Sequence, residues 1–70
     1  MIKEGTKVQW NWGQGSAEGT VKESYTHKVT KTIKGSEITR DGKKNNKALL
    51  IEQEDGTFVL KSESEVERLD

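Results

Sequence analysis

The sequence has no cysteine, one histidine and few aromatic residues. The lack of cysteine excludes a disulfide framework and a thiolate zinc site. The single histidine, His27, cannot share a metal ion with a second imidazole or a thiolate, because the sequence contains neither. It lies among polar residues, and no pattern that would make it the general base of a nucleophilic residue surrounds it. The acidic residues Glu63, Glu65 and Glu67 lack the spacing of a calcium loop. We therefore expect no metal, no catalytic residue and no enzymatic activity.

A nucleotide cofactor is not expected either. Gly13, Gly15 and Gly19 come close to a dinucleotide-binding fingerprint, but the residues that follow favour a strand. That fingerprint needs a helix N-terminus to hold the pyrophosphate. We interpret these glycines as turn and close-approach positions, and we expect no cofactor.

Long apolar segments are also absent. The longest run of large apolar residues, Ala48 to Ile51, is too short to cross a bilayer, and the polar residues after Met1 leave no room for a secretory h-region. With no cysteine, this predicts a cytoplasmic protein. Seventy residues, 29% apolar and 34% charged, predict a single domain over 1–70 with a thin core, which we expect to be monomeric.

The charges are balanced overall but segregated along the chain. Residues 22–51 contain eight basic and three acidic side chains, whereas residues 52–70 contain two basic and seven acidic ones. The net charges of these segments are therefore +5 and −5. The simplest interpretation is that the two segments lie side by side and neutralise each other, as cross-strand charge pairs do.

Period-two alternation predicts the first strand, over Thr6–Trp12. Thr6, Val8, Trp10 and Trp12 occupy one side, and polar residues the other. Because a thin core gains most from its largest side chains, we expect Val8 and Trp10 to be buried.

The next extended segment runs over residues 20–33, with an apolar face formed by Val21, Tyr25, Val29 and Ile33. At about 3.3 Å per residue it would exceed 40 Å if straight, so it must bend. Gly35 predicts a turn, a short strand follows at Glu37–Arg40, and residues 41–46 read as a loop.

Asp55-Gly56 predicts a two-residue type I′ hairpin turn, with positive φ at Gly56. In that register Gln53 lies opposite Phe58 and Ile51 opposite Leu60. A core cluster on one face follows from it, consisting of Leu49, Ile51, Phe58 and Leu60. After it, Ser62 and Glu65 form a capping-box pattern for one helical turn, before a last short strand at residues 66–69.

About five short strands, a long bent second strand and one helical turn near the C-terminus predict an all-β domain, a small closed barrel of the SH3-like type. Three stretches of the chain resemble the hypervirulence-associated Tudor-type family of small, mostly bacterial proteins. They are G-x-K-V-x-W-N-W-G-Q-G-x-A-x-G-x-V (Gly5 to Val21), I-K-G-S-E-I-T-R-D-G (Ile33 to Gly42) and ALLIEQEDGTFVLKSESEVE (Ala48 to Glu67). The resemblance implies an SH3-like Tudor barrel and leaves the activity open. Lys47 stands where that family tends to have proline.

Binding is the remaining class of function, and we expect a protein or peptide partner. A methyl-lysine cage needs several aromatic faces, often with a carboxylate. With Trp10 and Phe58 assigned to the core, an open half-cage is all that remains, and its candidate partner-binding residues are Trp12, Tyr25, Glu18 and Glu23.

Single-stranded nucleic acid, RNA in particular, is the alternative partner. Small barrels bind such strands in basic, aromatic-lined grooves. The candidate residues lie in the basic segment 28–44 and are Lys28, Lys31, Lys34, Lys43 and Lys44. The zero net charge counts against this alternative, because nucleic-acid-binding domains are usually strongly basic.

Overall fold

The structure, a computed structural model, describes residues 2–69 and is almost entirely β, as predicted. Its elements are β1 (Lys7–Trp12), β2 (Gly15–Tyr25), β3 (Lys28–Ile33), β4 (Ser36–Asp41), β5 (Ala48–Gln53), β6 (Phe58–Ser62), a 3-10 turn (Glu63–Glu65) and β7 (Glu67–Arg68). Five strands form an antiparallel sheet in the order β6-β5-β2-β1-β7, and β3 and β4 form a separate hairpin. The described residues contain no helix long and apolar enough to cross a membrane.

The core lies on one face of the five-stranded sheet. Val8 and Ile51 are fully buried and Trp10 is 6% exposed, which confirms the alternation read from β1. The cluster is completed by Ile2, Val21, Leu49 and Val66. Because one sheet supplies nearly all of these side chains, it must curl around them, and this gives the barrel-type architecture expected of an SH3-like Tudor fold.

The long extended segment begins earlier than predicted and is divided in two. β2 starts at Gly15, carries an irregularity between Val21 and Glu23, and ends at Tyr25. A bend at residues 26–27 then directs the chain into β3, which leaves the large sheet. The bend is fixed by Gly42, whose N–H donates to the His27 carbonyl over 3.0 Å. The predicted need for a bend is confirmed, and its consequence is a second sheet.

The loop between β5 and β6 is one residue longer than predicted, so the register of these two strands differs from the predicted one by one residue. Gly56 has φ +88° as expected, but the Gln53 N–H donates to the Thr57 carbonyl over 2.7 Å, enclosing three residues rather than two. The Asp55 carboxylate accepts hydrogen bonds from the backbone N–H and hydroxyl of Thr57. These bonds favour the longer loop, in which glycine takes the left-handed position.

The register shift also corrects the predicted core. Phe58 lies opposite Glu52 rather than Gln53, and it is 37% exposed. Leu60 is buried, but it lies opposite Leu50 on the other face of the sheet from the core cluster. On β6, Val59 packs against the core cluster instead of Leu60.

The β3–β4 hairpin has one half-buried face and one polar, exposed face. Its turn is type I′, since Lys34 and Gly35 have φ of +52° and +79°. The half-buried face consists of Val29, Lys31, Ile33, Ile38 and Arg40. On the opposite face the hydroxyls of Thr30 and Thr39 are hydrogen-bonded over 2.8 Å. The hairpin therefore has a single apolar surface, and β6 is the strand beside it.

The helical turn after β6 forms as predicted. Ser62 donates its backbone N–H to the Glu65 carboxylate over 2.8 Å, the reciprocal half of a capping box. The turn is of the 3-10 type and leads to β7, which pairs with β1.

Candidate functional site

An apolar groove separates the β3–β4 hairpin from β6. We call this feature, of about 380 Å³, the hairpin groove. Its walls come from both sheets and from the end of β5, and the lining residues are Ile33, Lys34, Ser36, Ile38, Arg40, Gln53, Phe58, Val59, Leu60 and Lys61.

The hairpin groove combines apolar residues, which form its floor, with positively charged residues at its rim. Half of its lining residues are apolar, and Lys34, Arg40 and Lys61 are its charged members. Among residues 2–69, no carboxylate side chain lines the groove. Concave sites with an apolar floor and a few polar groups are typical of ligand-binding surfaces.

One wall of the groove is the edge strand β6, which lies beside the hairpin but is not hydrogen-bonded to it among the described residues. Within the part of the chain that the structure describes, β6 pairs with β5 and ends the five-stranded sheet. Hydrogen-bonded pairs alternate with non-bonded pairs along an antiparallel ladder. The bonds Gln53–Thr57 and Lys47–Glu63 flank this ladder and fix its alternation. The backbone N–H and C=O groups of Phe58 and Leu60 therefore point away from β5, toward the open edge.

Arg40 connects the hairpin to the barrel. Its Nε donates to Glu65 Oε1 over 2.9 Å, while Nη1 donates to the Thr39 carbonyl. Burial of the Glu65 carboxyl raises its pKa, but the Ser62 N–H and the Arg40 guanidinium outweigh this, and the pKa lies below 4.5. The ion pair therefore holds the hairpin beside the groove.

The other two basic groups on the rim are less engaged. Among the described residues, Lys34 and Lys61 form no ion pair within 4.0 Å. Lys34 attracts the Asp55 carboxylate and Lys61 that of Glu65, but neither forms a close ion pair, so these two ammonium groups are the cations of the rim most able to attract an acidic ligand.

The predicted half-cage residues are spread over the molecule. Trp12 is 61% exposed at the end of β1, where its ring lies over Gly15. Tyr25 is at the opposite end of β2, ten residues beyond Gly15. Glu18 lies on the β1–β2 ladder opposite Gln9. Trp12 and Tyr25 are thus not brought together.

Tyr25 and Glu23 do come together, beside the hairpin. The Tyr25 hydroxyl donates to Glu23, and the Lys31 ammonium lies 5.2 Å from the centre of the Tyr25 ring. Lys31 also pairs with Glu23 at 3.7 Å. The Tyr25 hydroxyl, followed by the Glu23 carboxylate, raises the pKa of Lys31. His27 contacts the Tyr25 ring edge-on at 5.6 Å. Lys31 is therefore engaged within this group.

The lysines considered for nucleic acid do not share one surface position. Lys28 lies on the exposed polar face of the hairpin, whereas Lys31 lies on the half-buried face. Lys34 occupies the hairpin turn, and Lys43 and Lys44 belong to the loop after β4. The five amines are therefore distributed around the β3–β4 hairpin and the loop that follows β4.

Among the described residues, ion pairs join the two oppositely charged segments in two places. Lys22 pairs with Glu52 at 3.2 Å, and Arg40 pairs with Glu65. Near the β5–β6 turn, two depressions are lined by the acidic residues Glu18, Glu52, Glu54 and Asp55, together with Lys7. Within residues 2–69 no group of side chains is arranged to hold a metal ion.

Of the residues that line the groove, sequence reasoning named only Lys34 as a binding candidate and missed the others. Ile33 and Ile38 flank the Lys34-Gly35 turn, and their apolar character in a largely polar hairpin is the signal that the sequence offers. The two-residue loop predicted at Asp55-Gly56 places Phe58 in the core. The correct register exposes Phe58 and places it in the groove.

Comparison with known proteins agrees with the fold. No curated protein and no solved structure matches the chain. A family model described as "Hypervirulence associated proteins TUDOR domain" matches residues 5–66, from the turn before β1 to the residue that follows the 3-10 turn. This match spans nearly all of the domain, so the chain belongs to the hypervirulence-associated Tudor domain family.

Proposed function

We propose that this protein is a non-enzymatic interaction module that binds a protein or peptide partner in the hairpin groove, acting as a monomer in the cytoplasm. The observation that carries the proposal is the apolar floor of the groove beside the unpaired edge of β6. Membership of a Tudor-type family, whose small all-β domain suits binding, supports the same class of function.

The groove suits a peptide better than a nucleic acid. Its lining residues are mainly aliphatic, namely Ile33, Ile38, Val59 and Leu60, with Phe58 as the aromatic member. Non-specific nucleic-acid sites instead combine a basic path with several stacking aromatics. Peptides commonly bind along an exposed sheet edge, where backbone bonds supply affinity and side-chain pockets supply specificity.

The test is an NMR titration of the isotope-labelled protein with a panel of capped peptides and with mixed-sequence single-stranded RNA. We expect at least one aliphatic peptide to shift the amides of residues 33–40 and 58–61. RNA is titrated at about 50 and 200 mM salt, because phosphate contacts weaken steeply over that range.

A matched pair of variants locates the site. Phe58→Thr and Trp12→Thr each remove one exposed aromatic from a strand, but only Phe58 lines the hairpin groove. We expect Phe58→Thr to weaken peptide binding and Trp12→Thr to leave it unchanged. The reverse result would move the site to the Trp12 end of the barrel. Salt-sensitive RNA binding that Lys43→Gln/Lys44→Gln reduces would replace the proposal with the nucleic-acid alternative.

A further inference from the structure

We infer that the ligand of the hairpin groove is an extended peptide with alternating aliphatic and acidic side chains, which adds as a strand to the free edge of β6. This inference rests on the proposed function and specifies the chemistry of its partner. It follows from three features of the groove: the direction of the unused backbone groups, the aliphatic floor and the charge of the rim.

The backbone of β6 determines the conformation of the ligand. The N–H and C=O groups of Phe58 and Leu60 point to the open side of the sheet, as the alternation of the β5–β6 ladder requires. Such a row of unpaired groups is a template for another strand. The N–H of Ser62 is already in use, since it donates to Glu65. The available edge is therefore short, and a ligand strand of about five residues, roughly 17 Å long, would cover it.

The hairpin determines one face of the ligand. Successive side chains of a strand point to opposite sides. One side of a strand docked on β6 would meet the half-buried face of the hairpin, where Ile33 and Ile38 lie. Alternate positions of the ligand are therefore aliphatic, because only apolar side chains gain from contact with this floor.

The rim determines the charge of the remaining positions. Lys34 and Lys61 stand on two sides of the groove, and Arg40 adds a third cation. Acidic side chains on the ligand would be attracted mainly by the two lysines, because Arg40 is already paired with Glu65, whereas basic side chains would be repelled. A second copy of this chain is disfavoured for the same reason, because pairing two β6 edges would bring two copies of Lys61 close together.

The probe is a capped seven-residue peptide in which valine alternates with glutamate. Two comparison peptides carry backbone N-methyl groups, one on all valine amides and the other on all glutamate amides. Only one of these two sets can face β6 in a bound strand. A fourth peptide has lysine in place of every glutamate.

Binding is followed by NMR on the labelled full chain, through the amide shifts and the hydrogen-exchange rates of Phe58 and Leu60. We expect the valine–glutamate peptide to bind and to slow exchange at both amides. One N-methylated peptide should bind at least tenfold more weakly and the other nearly as well as the parent. The lysine peptide should show no saturable binding.

Two double variants with the same change in net charge test the rim. Lys34→Asn/Lys61→Gln removes the two rim amines, and asparagine tolerates the positive φ at position 34. Lys43→Gln/Lys44→Gln removes two amines from the loop outside the groove. We expect the first pair to weaken the valine–glutamate peptide at least fivefold more than the second pair does.

The possible failures are distinguishable. If the peptides bind in the groove regardless of N-methylation and of charge sign, strand addition is wrong while the proposed function stands. If no peptide shifts the groove amides, both are wrong. If the shifts at Phe58 and Leu60 depend on protein concentration alone and sedimentation shows a dimer, a second copy occupies the edge and the inference is overturned.

Discussion

The five-stranded sheet and the β3–β4 hairpin use their apolar residues in opposite ways. In the sheet, Val8, Leu49 and Ile51 have no exposed surface. In the hairpin, Ile33 and Ile38 are only half-buried, and no residue is fully buried. The apolar side chains inside the barrel stabilise the fold, while those of the hairpin, together with Phe58 on the edge strand β6, remain able to contact a ligand. A small domain can therefore separate stability from recognition by placing them on different surfaces.

The largest expected effect is on the sheet side of this comparison. Trp10→Ala removes a core aromatic that is 6% exposed. Such a truncation destabilises by about 3–5 kcal/mol, which approaches the whole stability expected of so small a domain. We expect circular dichroism to show an unfolded protein. Trp12→Ala is the control, since Trp12 is 61% exposed, and it should remain folded. Equal loss of signal in both would contradict the division between core and rim.

A second test compares two glycines of the same strand. A β-carbon on Gly19 would lie 2.5 Å from Ile51 Cγ2 and 2.7 Å from the Glu52 carbonyl oxygen, whereas one on Gly15 would make only ordinary contact with the Trp12 ring. Forcing extra volume into a packed site costs about 1–3 kcal/mol. We expect urea denaturation to show this loss for Gly19→Ala and a much smaller change for Gly15→Ala. If the urea denaturation midpoints of the two variants were indistinguishable, β2 and β5 would not be in this close contact.

A third test loosens the hairpin alone. A β-carbon on Gly42 would lie 2.6 Å from the His27 carbonyl oxygen, so Gly42→Ala should displace the bend that leads into β3. We expect hydrogen exchange to accelerate for the β3–β4 amides, while β1 and β5 keep their protection, because local opening need not involve the core. Uniform acceleration across all strands would show that the hairpin and the sheet unfold as one unit.

The smallest expected effect concerns pH and the Arg40–Glu65 contact. The pKa of Glu65 is lowered in the folded protein. The resulting stabilisation is complete above the ordinary value of 4.5 and is lost as the pH falls through the folded pKa. Because the pair is partly exposed, we expect only a few tenths of a kcal/mol.

The measurement is the free energy of unfolding at pH 6 and pH 3, for the native chain and for Glu65→Gln. The variant should lose less stability between these two pH values than the native chain does. An identical loss in both would indicate that Glu65 does not contribute. Glu54→Gln, at an exposed position outside the ion pairs of the described residues, controls for the general effect of removing a carboxylate.

The barrel could be predicted because its signals are local. The alternation that places Val8 and Trp10 inside follows from the two-residue period of a strand, and the capping pattern of Ser62 and Glu65 lies within four residues. The turn at Asp55-Gly56 shows the limit of such signals. An Asp-Gly pair with positive φ at glycine suits both a two-residue and a three-residue loop, and the hydrogen bonds of Thr57 decide between them.

The groove could not be predicted, because it depends on where separate elements meet. The sequence shows Ile33 and Ile38 as apolar strand positions, but their position beside β6 depends on the bend at residues 26–27. That bend in turn requires Gly42 to approach His27, fifteen residues earlier in the chain. A one-residue error in register was then enough to move Phe58 from the groove into the core.

The contrast between the two tryptophans also gives the protein two optical reporters of different kinds. Trp10 sits in an apolar interior and Trp12 in water, two residues apart on β1. Indole emission shifts to longer wavelength in a polar environment, so the native spectrum is a sum of a blue component and a red one. A Trp12→Phe variant would leave the buried indole as the only emitter. The emission wavelength of Trp10 would then report whether the barrel remains folded while a ligand is titrated into the groove, and no added dye would be needed.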